Sequence, residues 1–300
     1  MPELPEVETV RASLARDMIG KKVKSVSVTN GRIVRRHKTA KDFRSMIEGH
    51  SIRSAQRLGK NLVFGLDNGT HLVIHLGMSG QLLRAKGPKD PKPKHTHVVF
   101  TFVQGGELRY VDPRTFGELY ISTPPAEGET VEISKFARLS IGGDGLALRK
   151  LVPELAHLGV DPFEDQIGWD RFAAILRSRS TSLKVVLTDQ DIIAGIGNIY
   201  ADEILFAAGL RFDRESESLS TIEIRRLHRA ISETLTEAIK HGGSTLDDEQ
   251  FVDPDGVAGT FQQFHQVYNR EGQACFQCRQ PIERETVRGR GTFFCPKCQS

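Results

Sequence analysis

The hydrophobic period of this chain switches from strand-like to helical about halfway along, which excludes any uniform all-α or all-β architecture. Short β-like runs occupy the first part: Val23–Thr29, Asn61–Leu66, His71–Leu76, Val98–Val103 and Glu107–Val111. Asp67-Asn68-Gly69 and Gly105-Gly106 supply hairpin turns between them. From Trp169 onward the period is helical. Phe172, Ile175 and Leu176 share one face, and Leu183, Val186 and Leu187 another. Ile222, Leu227, Ile231, Leu235 and Ile239 predict a long helix closed by Gly242-Gly243. An amphipathic helix over residues 5–18, carrying Val7, Val10, Leu14 and Met18, precedes the strands. The expectation is an α+β, multidomain chain: a β-sandwich or barrel of about 130 residues, then a helical domain. The pattern weakens over 122–152, where an interdomain hinge is expected. The basic, proline-rich Gly87–Lys94 segment reads as a mobile loop, and 247–264 as a second loop.

All four cysteines fall in the last 26 of the 300 residues, as Cys275-x2-Cys278, sixteen residues, then Cys295-x2-Cys298. Paired knuckles at this separation are a structural zinc signature; a disulfide pair or free thiols are the alternatives. Four thiolates close the metal's shell, so one zinc ion would hold the fold and do no chemistry. Its binding is worth on the order of 10 kcal/mol to a module too small to fold alone. Arg284, Arg288 and Arg290 lie on the hairpin between the knuckles, in reach of a phosphate backbone.

The N-terminus reads Met1-Pro2-Glu3-Leu4-Pro5-Glu6-Val7-Glu8. Loss of Met1 leaves Pro2 as a secondary amine with a pKa near the α-amino value of about 7.7–8.0. Such an amine attacks an electrophilic carbon and passes through an iminium. Glu3 and Glu6 are placed to supply a general acid and to orient the amine. An ordinary helix start, with proline and acids at the positive end, explains the same residues.

Net charge is only +3 but is unevenly spread. Residues 21–44 carry nine Lys or Arg against Asp42 alone, whereas 213–255 hold eleven acids against five bases. The asymmetry fits a basic face that meets a polyanion and an acidic face turned away; a solvated charged loop is the plainer reading. Neither a secretory signal nor a membrane-spanning apolar run is present, so a cytoplasmic protein with no membrane partner is expected. Ala194-Gly195-Ile196-Gly197-Asn198 joins two helical patterns. It serves either as a phosphate-binding turn, with Asn198 capping the helix or touching phosphate, or as a helix corner.

Read together, these residues resemble the formamidopyrimidine-DNA glycosylase family of helix-two-turn-helix proteins. The matching motifs run in order along nearly the whole chain: Pro2–Glu8, Leu58-Gly59-Lys60, His75–Gly80, Asp112–Gly117, Gly195–Glu203, Gln266-Val267-Tyr268 and the cysteine quartet. The resemblance implies an N-terminal β-sandwich catalytic domain at 1–133 and a hinge at 134–152. A helix-two-turn-helix DNA-binding domain at 153–264 and a zinc finger at 265–300 follow. It implies a bifunctional glycosylase/AP lyase of base excision repair, acting as a monomer on double-stranded DNA that holds oxidised purines. Pro2 would attack C1′, Glu3 would be the general acid, and Lys60 a proton donor near the sugar-phosphate. Arg290 would serve δ-elimination and phosphate binding, and Asn198 would ligate phosphate. Met78, Arg114 and Phe116 would fill the gap left by a flipped nucleotide, whereas core packing is the commoner fate of Met and Phe. His95, Arg179 and Tyr268 would add DNA contacts. The chain departs from the family at Asn61, where tyrosine is common, at Asn269, where glycine is usual, and at Thr260 within Gly259-Thr260-Phe261.

Three other readings compete. An endonuclease VIII-type enzyme for oxidised pyrimidines typically has glycine where this chain has Leu4. A non-catalytic damaged-DNA-binding protein would be expected to lose Pro2, Glu3 or Lys60. A zinc-ribbon RNA-binding factor explains the cysteines but not the N-terminus.

Overall fold

The first helix, α1 (Leu4–Met18), forms where the apolar spacing predicts it, with Pro5 in its first turn, where an N–H would be unsatisfied anyway. Val7, Val10, Leu14 and Met18 are each at most 3% exposed, and burying each is worth about 1.5–3 kcal/mol. The computed structural model describes residues 2–246 and 251–300. Two compact units divide it. One holds Met1–Val131, Lys150–Glu154 and His241–Gln262; the other holds Glu132–Arg149, Leu155–Lys240 and Gln263–Ser300.

The first unit is a sandwich of two four-stranded antiparallel sheets. One runs β1 (Val23–Val28), β6 (Thr96–Phe102), β7 (Glu107–Val111), β5 (Gln81–Ala85). The other runs β2 (Ile52–Leu58), β3 (Asn61–Leu66), β4 (His71–His75), β8 (Glu118–Ser122). A short helix, α2 (Ala40–Ser45), follows β1 in sequence. Val26, Phe100 and Leu108 of one sheet share a core with Leu62, Phe64 and Leu119 of the other. Central strands β3 and β7 are buried almost throughout, so their runs read as continuous; β2, β5 and β8 escaped the sequence pattern. In β2 the cause is Arg57, a charged residue that is 0% exposed.

The Gly87–Lys94 segment is pinned, contrary to the expectation of a mobile loop. Buried Arg109 pairs with Glu107 at 2.8 Å and donates to the carbonyls of Gly87, Asp90 and Pro91. The strand thus carries a cation whose spare donors satisfy a loop that has no strand partner.

The second unit holds α4 (Trp169–Arg177), α5 (Leu183–Thr188), α6 (Asn198–Ala208), α7 (Thr221–Lys240) and the hairpin β9 (Glu283–Val287)–β10 (Arg290–Phe294). Arg288 and Gly289, both at positive φ, make the two-residue turn of that hairpin. Helix α7 buries Ile224, Leu227, Ile231 and Leu235. Ile222, expected on that face, is 77% exposed, because two residues before Ile224 it falls on the opposite side of the helix.

The stretch 134–152, expected as a hinge, holds a 3-10 turn at Ala137–Leu139 and helix α3 (Gly145–Leu151). Arg149, fully buried, pairs with Asp165 and donates to the carbonyls of Leu158 and Gly159. Residues 241–246 and 251–262 pack with the first unit. Ser244 donates to Glu6 at 2.7 Å, and Phe251 enters the sandwich core. Positions 247–250 of the loop expected at 247–264, like Met1, lie outside the described residues. Among the described residues no helix is long and apolar enough to cross a membrane.

Removing one partner of a buried pair strands the other charge. Arg149→Ala should lower the unfolding free energy of the full chain by about 3–5 kcal/mol in urea denaturation.

Candidate functional site

In the first unit, Pro2 is buried at the entry to α1. The Glu3 backbone N–H donates to Glu6 Oε2 at 2.8 Å, and Ser244 N–H reaches Glu6 Oε1. One carboxylate therefore clasps the chain start to the 241–262 segment. Gly243 is required beside it. Its φ is +76°, and a Cβ there would lie 2.6 Å from Glu6 Oε1. Glu6, expected among the catalytic groups, thus acts on backbone amides that fix where Pro2 and Glu3 stand.

Lys60 is 8% exposed in the two-residue turn between β2 and β3, where Gly59 takes φ +57°. Sequence reading missed what sets this turn. Glu8 of α1 accepts from buried Arg57 Nε at 3.1 Å, and Arg57 Nη1 donates to Gly59 O at 3.0 Å. An arginine inside a strand's apolar alternation was the available signal. Asn61, one of the departures, closes the same turn by donating to Leu58 O. Nearby on β4, burial first and then the Lys60 charge push His75 down to about 4. Its Nδ1 accepts from Gly77 N–H, a bond that requires neutral imidazole.

Two turns meet around Asp112. Arg114 and Phe116 are exposed, the guanidinium 5.2 Å from the ring centroid, and Met78 is half-buried on the facing turn. His95 is exposed at φ +64°, and its carbonyl accepts from Asp112 N–H.

The second unit gathers another set. Gly197, not Asn198, is the N-cap of α6. Asn198 Nδ2 instead donates to Gly291 O at 2.8 Å, next to Arg290 on β10. Its Oδ1 is buried with no hydrogen-bond partner among the described residues, beside a cavity of about 340 Å³ that Lys184, Arg288 and Arg290 also line. Asp202 ties this corner together: Lys184 pairs with it, and Phe293 N–H donates to it at 3.0 Å. Burial, opposed by Lys184, pushes Asp202 up to about 7. Glu203 accepts from the N–H groups of Gln266, Val267 and Tyr268, so α6 holds both the hairpin and the 266–268 strip. Tyr268 meets Phe293 edge-on at 5.2 Å. Asn269, the departure that follows, has φ +59°, a conformation that glycine takes freely and asparagine tolerates best among other residues. Arg179 follows α4 with its guanidinium over Phe136.

The thiol sulfurs of Cys275, Cys278, Cys295 and Cys298 all lie within 4.8 Å of one another, with pairs at 3.9 and 3.4 Å. A zinc tetrahedron with bonds near 2.3 Å needs sulfur separations of about 3.8 Å, so the quartet fits that ion.

Three family models match successive parts of the chain. Family models described as formamidopyrimidine-DNA glycosylase N-terminal domain, its H2TH domain, and the zinc finger found in FPG and IleRS match residues 1–119, 158–250 and 272–300. The chain is 40% identical to a formamidopyrimidine-DNA glycosylase of Halalkalibacterium halodurans, over the full length of both. It is 39% identical to one of Salinispora arenicola, covering 100% of this chain and 96% of the other. Among solved structures, MutM (Fpg) from Thermus thermophilus aligns with TM-score 0.80 at 38% identity, over 99% of this chain and 98% of that one. Lactococcus lactis Fpg in complex with abasic-site DNA aligns with TM-score 0.81 at 33% identity, over 99% of each chain.

The depressed His75 pKa has a definite sign. The unfolded chain takes up that proton near pH 6.5 and the folded chain only near 4, so this contribution to stability is lost as pH falls through that window. His75→Asn should flatten the fall of melting temperature between pH 6.5 and 4. Separately, Cys295→Ser should release zinc to a chromogenic chelator under conditions where the parent protein retains it.

Proposed function

The chain belongs to the formamidopyrimidine-DNA glycosylase family, and on that premise we propose that it is a bifunctional DNA glycosylase and AP lyase of base excision repair. Its substrate is double-stranded DNA holding an oxidised purine, 8-oxoguanine or a formamidopyrimidine. It acts as a cytoplasmic monomer. What carries this reading is the clasped N-terminus: Pro2 and Glu3 are both buried, with Glu6 holding Glu3 by its backbone N–H.

A glycosylase cannot reach C1′ inside a stacked duplex, so the nucleotide is extruded at a cost of a few kcal/mol. Met78, Arg114 and Phe116 fill the vacancy, two of them exposed and already stacked on one another. After Met1 is removed, the neutral Pro2 nitrogen attacks C1′. The C1′–N bond to the base breaks, and Glu3 delivers a proton as the base departs and the sugar ring opens. The resulting iminium makes the C2′ proton acidic; its loss expels the 3′-phosphate in β-elimination, and a second elimination expels the 5′-phosphate. Lys60, held by the Arg57–Gly59 bond, supplies a proton near the sugar-phosphate, and Arg290 binds phosphate for the second elimination. Asn198, His95, Arg179 and Tyr268 add DNA contacts. Zinc on the four cysteines keeps the Arg290 hairpin folded and takes no part in the chemistry.

Borohydride trapping on a duplex with one 8-oxoguanine, followed by mass mapping, should give a covalent adduct at Pro2. Pro2→Gly should keep lesion binding and lose most base excision. A Met1-free protein that binds the duplex and forms no adduct would instead be a non-catalytic damage-binding protein.

A further inference from the structure

We propose that Asp112 is a positioning residue that locks two turns, 76–80 and 112–117, into one rigid bracket, so that Met78 and the Arg114–Phe116 pair enter DNA as a unit. The inference rests on the functional reading above for the use of the bracket, but its existence rests on geometry alone.

Asp112 is 0% exposed, and among the described residues none of its hydrogen-bond partners is a side-chain cation. Its charge is met by four donors. Ser79 Oγ donates to Oδ1 at 2.6 Å and Arg114 N–H to the same oxygen at 3.2 Å. Tyr110 OH donates to Oδ2 at 3.1 Å and Gly117 N–H to it at 2.9 Å. Ser79 comes from one turn, Arg114 and Gly117 from the other, and Tyr110 from β7 beneath both. Burial beside this carboxylate pushes the Tyr110 phenol upward, so it remains a donor. A buried carboxylate holds such donors more strongly than a neutral acceptor would.

The glycines show how closely the turns approach. A Cβ on Gly77 would lie 2.7 Å from the Phe116 carbonyl carbon, and one on Gly117 would lie 2.7 Å from His75 O. On its outer side, Gly117 O accepts from Arg35 Nη1 at 2.8 Å. Thr115, between the two exposed side chains, sits at φ +53°, a conformation a β-branched residue keeps only when its surroundings hold it. The bracket therefore stores a strained turn whose exposed side chains need not be ordered when DNA arrives.

Asp112→Asn keeps the shape but turns one acceptor oxygen into a donor. A hydroxyl can rotate to accept from the new amide; a backbone N–H cannot, so Arg114 or Gly117 loses its acceptor. Hydrogen exchange on the free Asp112→Asn protein should accelerate at both turns together while β3 and β4 keep their protection. Acceleration confined to one turn overturns the bracket. In activity, excision of 8-oxoguanine from duplex should fall by about 10- to 100-fold in kcat/KM. Cleavage of a single-stranded oligonucleotide with a preformed abasic site, which needs no extrusion, should match the parent protein. Equal loss on both substrates, or no loss on either, overturns the positioning role. Should Asp112→Asn fail to fold, Ser79→Ala decides in its place, with a duplex-only loss of about 2- to 10-fold. Parent protein that leaves the abasic strand uncut refutes the glycosylase/lyase reading, a result distinct from the exchange measurement.

Discussion

The carboxylate of Glu6 joins parts of the chain 238 residues apart. One oxygen takes the Glu3 N–H and the other the Ser244 N–H. A terminus is ordinarily the loosest part of a domain. Here it is fixed at both ends of one side chain, and α1 anchors it further through four apolar residues in the sandwich core. The nucleophilic role proposed for Pro2 would need that restraint, because effective molarity depends on a near-attack geometry.

The same device recurs. Arg57, Arg109, Asp112, Arg149, Asp202 and Glu203 are all nearly or fully buried, and each satisfies backbone groups elsewhere in the chain. Replacing an ion pair by apolar residues is often neutral for stability, so these charges are better explained by what they hold in place. Arg57 sets the Lys60 turn, Asp112 sets the Arg114–Phe116 turn, and Asp202 sets the Arg290 hairpin. The chain start, the Lys60 turn and the Arg114–Phe116 turn thus each have backbone groups hydrogen-bonded to a buried charged side chain. That arrangement lets exposed loops carry function without the disorder that exposure brings.

Much of this was legible in the sequence. The period switch placed the β and α halves, and the spacing of Val7, Val10, Leu14 and Met18 placed α1. Two Cys-x2-Cys knuckles placed a zinc site that the sulfur separations fit. Strands β2, β5 and β8 were not legible, since β2 buries an arginine and β5 is only partly covered. The 134–152 stretch looked like a hinge because its order comes from Arg149 and the backbone carbonyls it meets, not from periodicity. Gly87–Lys94 looked mobile for the same reason, its composition being that of a linker while Arg109 holds it from another strand.

By itself the sequence determined what is local: the period of each element, the turn glycines, the thiol spacing, and the order of Pro2, Glu3 and Glu6 in the first helical turns. Those depend on neighbours in the chain, whose distances covalent geometry sets. Only the tertiary structure decided which buried charge met which segment, such as Glu6 with Ser244, Glu8 with Arg57, and Asp112 with Ser79 and Gly117. In two of these four contacts one partner is a backbone N–H, a group that every residue but proline carries. No residue type marks such a partner in advance, so the pairing exists only once the chain has folded.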